Sequence, residues 1–183
     1  MKRRSNPSPV PSRARDLSSG SHDLRELTWA EFDRMVQSLA RRIQVTFRPQ
    51  AVVGVAHGGV FAGGAIASAL GCDFYPVRIS RRSRVKLKRG SPRLSGQMPR
   101  ELKAKRVLVV DDVAASGETL ELACKLAIKV GAKEVTTAAL VSREDGYQPG
   151  WSALTTKALV VFPWDYEPVS EDQRFEVDPK AKG

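Results

Sequence analysis

The chain has little sulfur and little imidazole: two cysteines, Cys72 and Cys124, and two histidines, His22 and His57, among 183 residues. Their spacing builds no zinc site, and isolated thiols in apolar surroundings read as buried structural cysteines rather than a disulfide. No apolar run approaches the roughly 18–20 residues that span a bilayer. The N-terminus also lacks the apolar core of a secretory signal, so no membrane partner and a cytoplasmic location are expected. Acid is scarce where base is dense. Between residues 78 and 106 only Glu101 opposes Arg78, Arg81, Arg82, Arg84, Lys86, Lys88, Arg89, Arg93, Arg100, Lys103, Lys105 and Arg106, and this segment sets the sign of the net charge of +10. Such a field draws in anions, either a polyphosphate substrate or nucleic acid, with a merely solvated loop as the plain alternative. No aromatic lies between residues 80 and 106 to stack on bases, which disfavours an RNA-contacting arm.

What is present suffices for one α/β domain with its own core. Residues 1–21 are rich in Ser, Pro and Arg and read as a disordered basic tail, 22–170 as the folded domain and 171–183 as a C-terminal tail. Thr28-Trp29-Ala30-Glu31 has capping-box spacing. Trp29, Phe32, Met35, Val36, Leu39 and Ile43 then recur at three and four, giving one apolar helix face that ends near Phe47. Ala51–Ala56 is a buried strand running into His57-Gly58-Gly59, and an Ala-rich helix from Ala62 to Leu70 closes at Gly71. Asp73–Ile79 reads as a further strand, and 80–99, without periodicity, as a flexible basic loop. Val107–Val110 is apolar and β-branched, as in a buried parallel strand. A helix through Leu120, Ala123, Cys124, Ala127, Ile128 and Val130 stops at Gly131, Val135–Val141 is a strand, 142–151 a loop, and Leu159–Phe162 the last strand. Strand and helix alternate, so the expected fold is a mostly parallel central sheet flanked by helices.

Chemistry concentrates at Arg106–Leu120, RVLVVDDVAASGETL. Asp111 and Asp112 sit where the strand emerges, and ligands of open α/β sheets bind outside the strands' carboxyl ends. Ala115, Ser116, Gly117, Glu118 and Thr119 then form a small, hydroxyl-bearing loop before a helix, whose unpaired N–H groups suit a phosphate. The carboxylates could hold sugar hydroxyls or Mg²⁺ on the same ligand. A strand–turn–helix with an ordinary cap competes with this. A receiver domain does not, because its acidic pair lies near the chain start with several βα units still to follow.

At these residues the sequence resembles the type I phosphoribosyltransferases, whose signature is an apolar strand, two acids and a Thr/Ser-Gly-x-Thr loop. The resemblance covers residues 28 to about 167. The Trp29-Ala30-Glu31-Phe32 opening and the Phe162-Pro163-Trp164-Asp165 ending look like its xanthine/guanine/hypoxanthine branch. It implies transfer of the phosphoribosyl group of PRPP (phosphoribosyl pyrophosphate) to a purine-like nucleobase in purine salvage, with release of pyrophosphate. Asp111 and Asp112 would support sugar and Mg²⁺, with Asp112 toward the metal. Residues Ala115–Thr119 would take the 5′-phosphate, and Ala56, His57, Gly58 and Gly59 the pyrophosphate. Arg81, Arg82, Arg84 and Lys86 would lie on a loop closing over PRPP, and a homodimer is the common assembly. His57 stands where the family usually has Arg. Ala115 stands where that branch has an Asp facing purine N7, Ser142 or Arg143 where it has a Lys, and Leu159, beside Val160, where it has a stacking aromatic. General acid–base help is worth ~10²–10⁴-fold, so these departures bear on the base and leave a PRPP-binding regulator, or a transferase for a non-purine acceptor, as alternatives.

Overall fold

The computed structural model describes residues 23–82 and 89–166, with the side chains of 80–82 and 89–90 left aside. The tails expected at 1–21 and 171–183, and Arg84 and Lys86, lie outside the described residues. In chain order the elements are β1 (Leu24–Glu26), α1 (Trp29–Thr46), β2 (Ala51–Ala56), α2 (Gly58–Leu70), β3 (Asp73–Arg82), β4 (Arg89–Ser95), a 3-10 turn (Arg100–Leu102), β5 (Arg106–Ala114), α3 (Glu118–Lys129), β6 (Glu134–Arg143), β7 (Trp151–Thr156) and β8 (Leu159–Val161).

The two β-branched runs become the middle of a six-stranded sheet ordered β4-β3-β2-β5-β6-β7, parallel except where β4 runs against β3. Val52, Val53 and Val107–Val110 are fully buried, as strands covered on both faces must be. On one face α1 and α2 bring Leu39, Ile43 and Ile66 against Val52, Leu108 and Leu140. On the other, α3 brings Leu120, Ala123 and Ala127 against Val53, Val107 and Val109. The Thr28 cap forms as its spacing predicts: Glu31 N donates to Thr28 Oγ1 at 3.2 Å, and Thr28 N donates back to Glu31 Oε2 at 2.9 Å. Gly71 closes α2 in the left-handed conformation at φ 64°.

The chain steps from β2 outward to β3 on one side, and from β5 to β6 on the other, so the strand order reverses between β2 and β5. A crevice opens at such a switch point, at the carboxyl ends of the strands. Pairing of β2 with β5 ends at Gly54↔Val110, whereas β5 stays paired with β6 through Ala114↔Ser142.

Several expectations are corrected. The acids do not follow β5 but form part of it, because β6 keeps pairing with the chain beyond Val110. Helix α2 begins at Gly58, not Ala62. Its glycines are needed there for close packing: a Cβ on Gly59 would lie 2.7 Å from Val110 O, and one on Gly54 would lie 2.6 Å from Gly59 O. Within the stretch read as a structureless loop, β4 is an edge strand whose partner is set by β3 rather than by its own pattern. Strand β7, Trp151–Thr156, falls where the sequence reads as a loop at Trp151 and carries no assigned element over 152–158, and it owes its place to β6. Strand β8 is the last strand, as expected, but it ends at Val161 and pairs in parallel with the unforeseen β1, Leu24↔Leu159, as a separate two-stranded sheet.

Candidate active site

The switch point brings together two segments that lie about fifty residues apart. At the end of β2 the Ala56–His57 peptide is cis, and Gly58 and Gly59 open α2 directly beneath the acids of β5. The gap is closed so tightly that a Cβ on Gly58 would overlap the carboxylate of Asp112. The Asp112 carboxylate is fixed from its own strand, with Oδ1 accepting from Val113 N at 2.8 Å, while Asp111 Oδ1 accepts from Asp112 N at 3.0 Å. Burial pushes the Asp112 carboxyl above the ordinary carboxylate range, and the charge of Asp165 adds to this, against the lowering effect of its hydrogen bonds to Asp111 and the backbone. Asp165 comes from the Phe162-Pro163-Trp164-Asp165 turn, whose shape is set by Phe162 N donating to Asp165 Oδ2 at 2.8 Å. Sequence reasoning attached no role to it, since a distance across the fold has no sequence signal.

After β5 the chain turns through exposed Ala115 and Ser116 to buried Gly117, which caps α3 in a left-handed conformation at φ 77°. Gly117 brings no side chain to the cap, and the N-terminal end of α3, with the positive end of its dipole, borders a concavity of about 350 Å³. Asp111, Ala115, Gly117 and Thr119 all line it, so the acid end of β5 and the small-residue loop share one cradle. Ala115 and Ser116 also border a larger cleft of about 620 Å³, walled by Arg143, Glu144, Asp145, Gly146, Tyr147 and Lys157. Tyr147, absent from the sequence-based candidates, donates its backbone N–H to Ala115 O at 2.8 Å.

The remaining candidates fall in different places. His57 is exposed at the lip of α2 with Gly58 and Gly59 behind it. Arg81 and Arg82 lie at the end of β3, described in their backbone only. Ser142 is fully buried, with its hydroxyl 2.9 Å from Thr155 Oγ1, so it bonds to β7 and does not line the cleft. Arg143 does line the cleft, and its Nη1 donates to Lys157 O at 2.7 Å and Ala158 O at 2.6 Å, tying the end of β6 to the turn before β8. Leu159 and Val160 sit on β8, the first exposed and the second half-buried.

A family model for the phosphoribosyl transferase domain matches residues 27–171. The chain belongs to the phosphoribosyltransferase family. As a family these are glycosyltransferases. An adenine phosphoribosyltransferase of Brucella suis is 33% identical over 128 residues, 62% of this chain and 68% of that protein. Among solved structures, a purine phosphoribosyltransferase of Pyrococcus horikoshii superposes with a TM-score of 0.72 at 30% identity, covering 81% of this chain and 99% of that one. The xanthine-guanine-hypoxanthine phosphoribosyltransferase of Helicobacter pylori shares the fold at TM-score 0.63 and 18% identity, over 77% and 92% of the two chains. Among the described residues no helix is long and apolar enough to cross a membrane.

Proposed function

We propose that this phosphoribosyltransferase moves the phosphoribosyl group of PRPP to a purine base and releases pyrophosphate. The observation that carries the reading is the contact of Gly58 with Asp112 across the switch point, which makes the glycine-rich lip, the acid pair and the phosphate cradle one continuous site. The 5′-phosphate would lie on the amides of Ala115–Thr119, the ribose over Asp111 and Asp112, and the pyrophosphate toward Ala56–Gly59 with His57 as a donor. The base would enter by the cleft beside Ala115 and Arg143. Held this way, the two faces of the sugar carbon are presented to leaving group and acceptor in line, so that catalysis is mostly positioning and charge stabilisation.

The donor set fits Mg²⁺ in part. Two hard carboxylates stand side by side and one is already raised by burial, yet among the described residues no group of three or more His, Cys, Asp or Glu could hold a metal. Mg²⁺ is commonly bound by one or two carboxylates together with substrate phosphates, so Asp111 and Asp112 would hold it only alongside PRPP. There it would neutralise charge on the departing pyrophosphate.

Adenine is the acceptor that the base side favours. Ala115 offers no acid to exchange a proton at N7 of a 6-oxopurine, Ser142 is turned to β7, and adenine-type members also carry a small residue at the Ala115 position. The sequence relatives named for adenine agree with this. A homodimer acting in the cytoplasm completes the reading. Incubation with Mg²⁺, PRPP and each free base, followed by pyrophosphate release, tests it: turnover with adenine is expected, and turnover with guanine or hypoxanthine alone would reverse the assignment of the base. PRPP binding without turnover of any base would make the protein a regulator.

A further inference from the structure

We propose that Tyr147 is a positioning residue for the phosphate loop, holding Ala115–Gly117 in its binding shape from the far side. This rests on the reading of residues 115–119 as the PRPP phosphate site. That loop is built mostly of small side chains, and the Gly117 N-cap of the helix that follows has no side chain with which to hold it. What packs against it from outside therefore contributes to its shape.

The surroundings are the turn between β6 and β7. Tyr147 N donates to Ala115 O at 2.8 Å. Gly146 approaches the same carbonyl so closely that a Cβ there would lie 2.5 Å from it. Gly117 is left-handed, and a Cβ on it would lie 2.6 Å from Tyr147 Cβ and would overlap the ring. The turn is itself braced: Gly146 N donates to Arg143 O at 3.1 Å, and Gln148 Nε2 donates to Arg143 O at 2.9 Å and Gly146 O at 3.2 Å. The Tyr147 hydroxyl stands 3.4 Å from Thr137 Oγ1 on β6, at the long limit of a hydrogen bond. Ring and backbone together form a bracket between the central sheet and the loop, with the ring against Gly117 and the amide on Ala115. A loop bracketed in this way has less conformational freedom to lose when phosphate binds, which is gained as affinity rather than as chemical rate.

The test is PRPP affinity by calorimetry in the presence of Mg²⁺, alongside steady-state kinetics. Y147A should weaken PRPP binding at least tenfold and raise KM for PRPP by a similar factor, with kcat at saturation little changed, and Y147F should restore the affinity because the ring remains. G117A should weaken binding in the native background, and on top of Y147A it should lose only the ring's share of that cost, because the left-handed backbone and the 2.6 Å approach to the Cβ of residue 147 remain. If Y147A does not fold, G146A decides, because its Cβ pushes the turn off Ala115 O without emptying the core; a PRPP KM unchanged in G146A overturns the proposal. A lowered melting temperature in Y147A with native PRPP affinity also overturns it and leaves the ring a packing residue only. T119A separates the two levels. If T119A weakens PRPP and Y147A does not, this inference alone fails, whereas if neither does, the phosphate-site reading fails with it.

Discussion

Replacing Gly58 with alanine should disable PRPP use while leaving the fold intact. The backbone at Gly58 is in the first turn of α2 and not in the left-handed region, so alanine is conformationally acceptable there and has the better helix propensity, by up to about 1 kcal/mol. The nearest obstacle is Asp112: the new Cβ would overlap its carboxylate and lie 3.0 Å from its Cβ. To make room the carboxylate must rotate away and give up the 2.8 Å bond from Val113 N. A hydrogen bond to a charged group is worth about 1.5–3 kcal/mol, which corresponds to roughly ten- to a hundredfold. A displacement of about 1 Å at a reacting centre can cost ~10²-fold independently. G58A should therefore lower kcat/KM for PRPP by roughly ten- to a hundredfold, with a modestly lowered melting temperature, because the helix gain of up to about 1 kcal/mol offsets only part of the bond lost. On a D112A background the same change should cost much less, since alanine removes the overlapping carboxylate and leaves only the 3.0 Å approach to Cβ. Retention of kcat/KM within about threefold in G58A would refute the claim that the lip and the acid pair form one site.

The raised Asp112 carboxyl gives a stability prediction with a definite sign. The folded state binds this proton more readily than the unfolded state does, so stability is lost as pH rises from the ordinary carboxylate range through the raised value. D112N keeps an oxygen for Val113 N and carries no charge. It should melt above the native protein at pH 7, with the gap closing toward acid pH below the ordinary carboxylate value, and its Mg²⁺-dependent PRPP binding should fall; a native melting temperature at pH 7 would contradict the burial argument. Burial pushes the Cys124 thiol up to about 11, so at pH 8 iodoacetamide should label it about a hundredfold more slowly than a free cysteine, as followed by mass spectrometry. Trp164, only 7% exposed, stacks on Phe61 at 4.9 Å and on Phe162 at 4.8 Å between ring centroids. W164A should destabilise by about 3–5 kcal/mol in denaturant titration. W164F should cost less, because the indole N–H it removes is buried with no partner among the described residues.

The central strands, the acid pair and the small-residue loop were legible in the chain because each depends on short-range physics: β-branched runs, the carboxyl end of a strand, small and hydroxyl-bearing residues before a helix. The capping box at Thr28 and the Gly71 stop are legible for the same reason. Elements whose existence depends on a partner were not. Trp151–Thr156 has no strong alternation, and becomes β7 only because β6 offers it an edge. Leu24–Glu26 is three exposed residues until β8 pairs with it.

At the site the division is similar. Composition and order alone determine that a small, hydroxyl-bearing loop follows two carboxylates, and that a glycine-rich turn precedes them by about fifty residues. That Gly58 lies under Asp112, that Asp165 adds its charge to that carboxyl, that Ser142 turns to Thr155 and that Tyr147 backs Gly117 were decided by the tertiary structure. Helices and strands form from local periodicity and local hydrogen bonds. Which side chains meet across a switch point depends on strand order, and strand order follows from burying both faces of the sheet at once, which is a property of the whole chain.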